Sequence, residues 1–441
     1  MVRHKTVCLR RLGGNRGGEL RAGRFFANPQ VSPARIIDSW SETTASAVVG
    51  RHVLAIQDTT VLSFATGDEA RTAPRRTRRT ASSQTRRRGL GPINDGTAYG
   101  LLAHVMLAVD AADGACLGLL GGTVWNRPGF VASPEWARPL AERESRRWVD
   151  TAEAVRPVLA AAAMVTVVSD REGDMYPLWA RVPGATWHAL GRVDRKLADS
   201  SMLFATADRL PRSERRTLTL PARAPAQAAR AARVELRFGP VAIRRSPNEK
   251  DRQLAKAVPL TVIDVREGDP PAGAEAIHWR LLTTHAVSGA TEAWQIVAWY
   301  QRRWCIEQLF RVLKAQGLRL EDSQMASATG LAKLTAAAIK AACAVLQLVQ
   351  ERDGAHAQPA SHLLSPAEID TAEALTPTLE GRTARQTNPH PPATLARVSW
   401  VVARLGGWNC YGKPPGPITM QNGLQRFAAI HQGRMLSRLT E

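Results

Sequence analysis

Asp58 lies inside an apolar, β-branched run, HVLAIQDTTVLSF (52–64), where a charge is costly unless it is paired or bound to a cation. Asp170 closes a second apolar run, AMVTVVSD (163–170), at the C-terminal edge where open α/β sheets place ligand sites. Each has an ordinary alternative. Asp58 could face solvent at a strand end or cap a turn through Thr59 or Thr60, and Asp170 could N-cap a helix that begins in REGDMY. Two carboxylates on neighbouring strand ends become a site for a hard divalent cation only when a third joins them. Glu307, in WQIVAWYQRRWCIEQLFRVLK, is the candidate. On one continuous helix Tyr300, Arg303, Glu307 and Lys314 project within roughly 60° of one another at ~100° per residue, and Arg311 falls on the same stripe. Ala298, Cys305, Ile306, Leu309, Val312 and Leu313 lie mostly on the other side. Solvated charges on an ordinary amphipathic helix give the same pattern. Here the polar stripe is narrow and the rest of the helix is apolar, which suggests a cleft.

Strands must carry the two Asp residues. The runs 52–64, 100–110 and 116–125 read as three consecutive strands, with a hairpin-like turn AADGA between the last two. A long helical stretch follows at roughly 133–161, then the strand ending on Asp170. Strand-strand-strand, helix, strand, helix is the order of a mixed α/β sheet of ribonuclease-H-like type. From 192 to 285 short alternating pieces (TLTLPAR, ARVELRFG, AVPLTVIDV, HWRLLTT) read as a β-rich inserted subdomain. A long helix is expected over 290–316 and another over 328–352. TPTLEGRTARQTNPHPP (376–392) reads as a linker, and two helical segments flank GGWNCYGKPPGP in the tail. The expected divisions are 1–50, 51–191, 192–285, 286–352 and 353–441.

The chain has 441 residues, of which 44% are hydrophobic, enough to bury a large core and to exclude wholesale disorder. Lys and Arg total 59 against 39 Asp and Glu, a net charge of +20 that favours a polyanionic partner. Arg dominates the surplus, and compositional bias towards Arg, Ala and Gly accounts for part of it. No apolar run is expected to reach the ~18 residues of a membrane span. The start, MVRHKTVCLRRLGGNRGG, lacks the apolar stretch of a secretory signal. Cys8, Cys116, Cys305, Cys343 and Cys410 are scattered without a CxxC pair, so neither a disulfide scaffold nor a thiolate zinc site is expected, and a reducing cytosol fits.

With these residues in place, the chain resembles the DDE transposases of insertion sequence family 4, the Tyr-Arg-Glu-Lys group that includes the transposase of transposon 5. Their motif, Tyr, two residues, Arg, three residues, Glu, six residues, Lys, stands here as Tyr300, Arg303, Glu307 and Lys314. AIQDTTVLSF around Asp58 and VVSDREGDM around Asp170 look like the family's first two acidic motifs, and RFFANPQVSP, GLGPINDGTAYGLLAHVMLAVD and LGGWNCYGKPPGP are similar too. The likeness runs from about residue 20 to the end. It implies a ribonuclease-H-like core whose triad is Asp58, Asp170 and Glu307, holding two Mg²⁺ ions, or Mn²⁺ in their place. By the same likeness Asp58 would bridge both ions, while Asp170 and Glu307 would take one each.

The resemblance further implies that Tyr300 and Arg303 hold a phosphate of the cleaved end, with Lys314 beside them. Trp279 would stack on a flipped base, although a core Trp in a β subdomain explains it equally, and Arg192 would touch DNA. The implied activity is cut-and-paste transposition at terminal inverted repeats: nicking, hairpin formation, hairpin opening and strand transfer into target DNA. A cytoplasmic, nucleoid-associated homodimer joined through its C-terminal helices, with no membrane partner, follows from the same likeness. Family members usually carry more chain before the first Asp than the 57 residues here, so a shortened end-gripping region is expected. That keeps open a non-cleaving DNA-binding regulator, and a nuclease that only hydrolyses remains a third reading.

Residues 71–88, RTAPRRTRRTASSQTRRR, hold eight Arg and no acid. A solvated charge run is the ordinary explanation, but its place just after the strand of Asp58 favours phosphate binding. Replacing Arg75, Arg76, Arg78 and Arg79 by Ala should weaken DNA binding and flatten its salt dependence by up to about four units of log–log slope. An unchanged slope in a salt titration would contradict the idea.

Overall fold

The computed structural model describes residues 7, 9, 13, 15–64, 89–93, 98–127, 138–192, 203–220, 230–247, 249–274, 276–325 and 327–437. Arg75, Arg76, Arg78 and Arg79 lie outside the described residues. The strands are β1 (His52–Ser63), β2 (Gly91–Ile93), β3 (Ala98–Asp110), β4 (Cys116–Trp125), β5 (Met164–Ser169), β6 (Trp187–Arg192), β7 (Glu214–Leu220), β8 (Arg230–Arg244), β9 (Ala257–Glu267) and β10 (His278–Thr283). The helices are α1 (Arg16–Ala27), α2 (Pro33–Asp38), α3 (Thr44–Ala47), α4 (Arg147–Ala154), α5 (Tyr176–Arg181), α6 (Leu203–Arg209), α7 (Ala290–Gln301), α8 (Trp304–Lys314), α9 (Ala328–Glu351), α10 (Pro366–Leu379), α11 (Leu395–Leu405) and α12 (Pro417–Ser437).

All ten strands join one mixed sheet in the order β2-β3-β1-β5-β6-β10-β9-β8-β7, with β4 also paired to β3. The β3–β4 hairpin closes in a tight turn. Ala112 N–H donates to the Asp110 carboxylate and Ala115 N–H to that of Asp113, while Gly114 takes φ +89°, which suits a residue without Cβ. β3 runs antiparallel to both β1 and β4, whereas β5 runs parallel to β1, and β6 parallel to β5. Parallel neighbours need a crossover, and α5 lies in the segment joining β5 to β6. This core order is consistent with the ribonuclease-H-like expectation. The strands expected within 192–285 form where their alternation places them. They extend the same sheet, because β10 pairs antiparallel with β6.

Both faces of the core are covered, so the central strands are apolar on alternate sides. Leu54, Ile56 and Leu62 of β1 join Leu101, Val105 and Leu107 of β3 beneath Ile306, Leu309 and Leu313 of α8 and the apolar side of α9. Val53, Ala55, Met106, Ala108 and Val167 face the other way, onto Trp148, Val149 and Ala152 of α4. α9 is long and apolar enough to cross a membrane, contrary to the sequence expectation, but most of it is buried inside the protein. It also anchors the N-terminal segment: Trp40 Nε1 donates to Ala336 O at 3.1 Å, and Lys333 Nζ to Phe26 O and Asn28 O.

Two helix expectations need correction. Among the described residues of the stretch 133–161, the one α-helix is α4 over 147–154, preceded by two short 3₁₀ turns and ended ahead of Pro157, whose ring disfavours helix at the residue before it. The helix over 290–316 is broken into α7 and α8. Arg303 N–H, Cys305 N–H and Ile306 N–H each reach back only three residues. Arg302 explains the break: its Nη1 and Nη2 donate to Asp110 O and Ala112 O, both at 2.9 Å, and pin this point to the β3–β4 turn.

At the start of β1, about 20 Å along the strand from Asp58, lies a histidine cluster. His52 Nε2 and His285 Nε2 each stand 2.8 Å from Thr166 Oγ1, and the His188 and His285 rings stack at 3.8 Å. Burial holds His52 down to about 4 and His285 to about 3, with the charge of His188 acting in the same direction. The unfolded chain therefore takes up protons first. The histidines' contribution to stability is complete above about pH 6.5 and is lost as pH drops towards 4. In thermal melts across that range, His285→Gln should lower stability at neutral pH and make the acid loss shallower than in the parent.

Candidate active site

β1 and β5 pair in parallel with one constant offset: His52 faces Met164 and Ile56 faces Val168, and 168 − 56 = 112. Asp58 and Asp170 have the same offset, 170 − 58 = 112, so they stand opposite each other two residues past the last ladder pair. β5 stops because the chain turns there. Asp170 caps a 3₁₀ turn, Arg171–Gly173, its Oδ1 accepting from Glu172 N–H at 2.8 Å. A Cβ on Gly173 would lie 2.5 Å from the Ser169 Cβ, so the turn can fold this tightly only with glycine. β1 runs on, still paired with β3, and Asp58 Oδ1 accepts from Thr59 N–H at 2.7 Å. The ordinary turn and cap roles are thus real, and they fix where the two carboxylates point.

Asp58 shares parity with Leu54 and Ile56, which places it on the face covered by α8. Arg303, at the head of α8, donates from Nη1 to Asp58 Oδ2 at 3.0 Å and from Nη2 to Glu307 Oε1 at 2.5 Å. The side chains of Arg303, Asp58 and Glu307 are 16%, 14% and 31% exposed, so this is a partly desolvated cluster. Burial first, and the charge of Asp170 next, push the Asp58 carboxyl up to about 7, against the pull of Arg303. The Tyr300 hydroxyl is raised by burial, with Arg303 and Arg192 drawing it down and Asp170 pushing it up. Asp58, Asp170, Glu307, Arg303, Tyr300 and Arg192 therefore share one electrostatic neighbourhood.

Tyr300 and Arg192 adjoin this cluster, whereas Lys314, Arg311 and Trp279 lie away from it. Tyr300 is buried in the main core from α7, and not presented on an open stripe. Lys314 lies two helical turns from Glu307, about 10 Å along the axis. Burial lowers its ammonium, with Glu321 opposing, and Glu321 in turn accepts from Ser63 N–H at the end of β1. Arg311 is exposed. Trp279 sits on β10 opposite Val265, half-buried against the main core. Arg192 ends β6 and donates to His278 O at 3.1 Å.

Sequence spacing missed the support behind Asp58. Arg147 of α4 donates from Nε to Thr59 Oγ1 at 3.0 Å and from Nη2 to Glu172 Oε2 at 3.1 Å, bracing the segments that follow both Asp residues. Thr59 Oγ1 meets buried His104 Nδ1, and His104 Nε2 meets Gln57 Oε1. Only the apolar pattern interrupted by Gln57 and His104 hints at this network. Three carboxylates are the donor type that Mg²⁺ or Mn²⁺ takes. Among the described residues no three His, Cys, Asp or Glu stand in metal-holding geometry. Here the guanidinium of Arg303 lies between Asp58 and Glu307.

No family model matches the chain. Among solved structures, a cryo-EM structure of the piggyBac transposase synaptic complex with hairpin DNA is similar at a TM-score of 0.34 and 9% identity, over 89% of this chain and 56% of that one. The chain thus spans just over half the length of that solved protein.

A carboxyl held above its ordinary value binds its proton more tightly folded than unfolded. Asp58 therefore makes stability fall as pH rises from about 4 to about 7. Asp58→Asn should remove that slope, with a ceiling of about 4 kcal/mol by pH 8. Urea midpoints of the two proteins at pH 5 and pH 8 test it: parallel curves would show that Asp58 is ionised throughout.

Proposed function

We propose that the chain is a DNA transposase, using divalent cations at Asp58, Asp170 and Glu307 to cut and rejoin phosphodiesters. One observation supports the reading: Asp58 and Asp170 share the register offset of parallel neighbours β1 and β5, and Arg303 links Asp58 to Glu307 from 245 residues along the chain. Such a concentration of like charge is what a divalent cation offsets. When bound, the cations would stabilise the attacking and leaving oxygens.

The chain's own groups do the rest. Asp58, whose proton burial favours, would release it to solvent as a cation binds and would hold that cation together with Asp170 and Glu307. Arg303, whose planar fork suits a phosphate, positions the scissile strand, with Tyr300 and Arg192 behind it. Lys314 and Arg311, further along α8, extend the positive line along the DNA backbone. The Arg-rich segment 71–88 adds contacts that position DNA without reading its sequence. Ile418, Ile430, Met435 and Leu436 of α12 are exposed apolar side chains, and a second copy of the chain is their proposed partner.

The test is incubation with Mg²⁺ or Mn²⁺ and a duplex carrying the terminal repeats that flank the coding sequence. Nicks followed by hairpins support transposition, nicks alone a nuclease, and binding without nicks a regulator. Glu307→Ala should reduce cleavage roughly 10³-fold or more, the scale of losing a direct transition-state contact, while DNA binding measured by gel shift stays nearly unchanged. A variant that still cuts would remove Glu307 from the site.

A further inference from the structure

We propose that Arg303 is a built-in counter-ion, one that occupies the carboxylate cluster until DNA draws it away, so that cation loading and phosphate binding promote each other. The inference rests on reading the cluster as a cation site. Its geometric basis is the double bridge. One guanidinium spans Asp58 and Glu307, using a different nitrogen for each. Each carboxylate gives it a single oxygen, and the second oxygen of Asp58 is already taken by Thr59 N–H. Asp58 therefore cannot turn freely to a cation while Arg303 holds it.

Electrostatics disfavour both occupants at once. A guanidinium within hydrogen-bond distance of two carboxylates would be repelled by a divalent ion held on the same oxygens. Without either positive group, three partly desolvated carboxylates would repel one another. The cluster thus alternates between two counter-ions, and the outcome depends on where Arg303 finds a better partner. A DNA phosphate is one, since it accepts two parallel N–H bonds where each carboxylate here accepts one.

The local backbone suits such an exchange. Arg303 sits in the α7–α8 break, and Arg302 beside it is fastened to Asp110 O and Ala112 O. The side chain of Arg303 can swing while the main chain stays pinned. Cys305, Ile306 and Leu309 hold the first turns of α8 in the core, so Glu307 keeps its place when Arg303 leaves. Because the coupling is between two binding equilibria, it must be reciprocal: the factor by which DNA tightens the cation is the factor by which the cation tightens DNA.

The experiment measures Mn²⁺ affinity by calorimetry and by electron paramagnetic resonance, for the full chain, Arg303→Gln and Arg303→Lys, each with and without a short generic DNA duplex. Without DNA, Arg303→Gln should bind Mn²⁺ at least about fivefold tighter than the parent, the lower end of ordinary coupling. DNA should tighten Mn²⁺ binding by the parent by a similar factor and leave Arg303→Gln nearly unmoved. The difference between the two proteins removes any Mn²⁺ attracted by the duplex itself. Arg303→Lys keeps the charge but cannot span both carboxylates, so it should fall between them, and it carries the test if the Gln variant fails to fold. Equal or weaker Mn²⁺ binding in the variants, or no DNA effect in the parent, overturns the inference and leaves the cation site standing. Absence of Mn²⁺ binding in every protein, with and without DNA, overturns the cation site and the inference together.

Discussion

Negative charge gathered in a partly desolvated place is the constraint on which this structure turns. Asp58 lies across from Asp170, with Glu307 reached through one guanidinium, and burial has already pushed the Asp58 carboxyl up to about 7. A protein selected only for stability would not keep this arrangement, since apolar residues of similar volume usually pack as well or better. Breaking one partner of such a cluster leaves uncompensated charge, which costs stability. That is why the cluster, and not the overall charge or the fold class, carries the functional reading.

The fold's contribution is positional accuracy from three independent sources. The parallel ladder between β1 and β5 sets Asp58 against Asp170, and a one-residue slip would turn every side chain of one strand to the opposite face. The turn at Asp170 is fixed by its own cap and by the close approach at Gly173. α8 is set by buried Cys305, Ile306, Leu309, Val312 and Leu313, and its head is fastened through Arg302 to the β3–β4 turn. Arg147 braces the far side by touching the residues after each Asp. The site stands on strands and a buried helix, where side chains are held more narrowly than on loops.

Much of this was legible before any coordinates. Alternation and apolar runs located the strands of the core and of 192–285, and the four-residue spacing picked out α8, because both signals come from burial and burial decides the structure. What failed did so for reasons outside local pattern. The break between α7 and α8 depends on Arg302 reaching carbonyls nearly two hundred residues away, which no window can hold. β6 was missed because WHALGR is short and only partly apolar, although Pro183-Gly184 marks a turn just before it and it lies between β5 and β10. α10 was overlooked despite its signal: Ser365 and Glu368 form a reciprocal capping box around Pro366 at the first helical position. Arg147 had no spacing relation to either Asp, since its role arises only once β1 and α4 pack.

The charge surplus has to be located before it says anything about DNA. Many described arginines are committed to carboxylates: Arg127 to Glu144, Arg230 to Glu267, Arg280 to Asp264 and Asp208. These pairs hold the sheet and its edges, and they add little field outside the protein. By contrast, residues 71–88 contribute eight Arg and no acid to a net charge of +20. Their first arginine follows Asp58 by thirteen residues (71 − 58 = 13) and the last residue of β1 by eight (71 − 63 = 8). Chain connectivity alone therefore attaches the densest positive stretch to the strand that bears Asp58. Attracting a polyanion and acting on it need opposite charges. Here one strand holds the carboxylate inside the core and leads directly into the arginines.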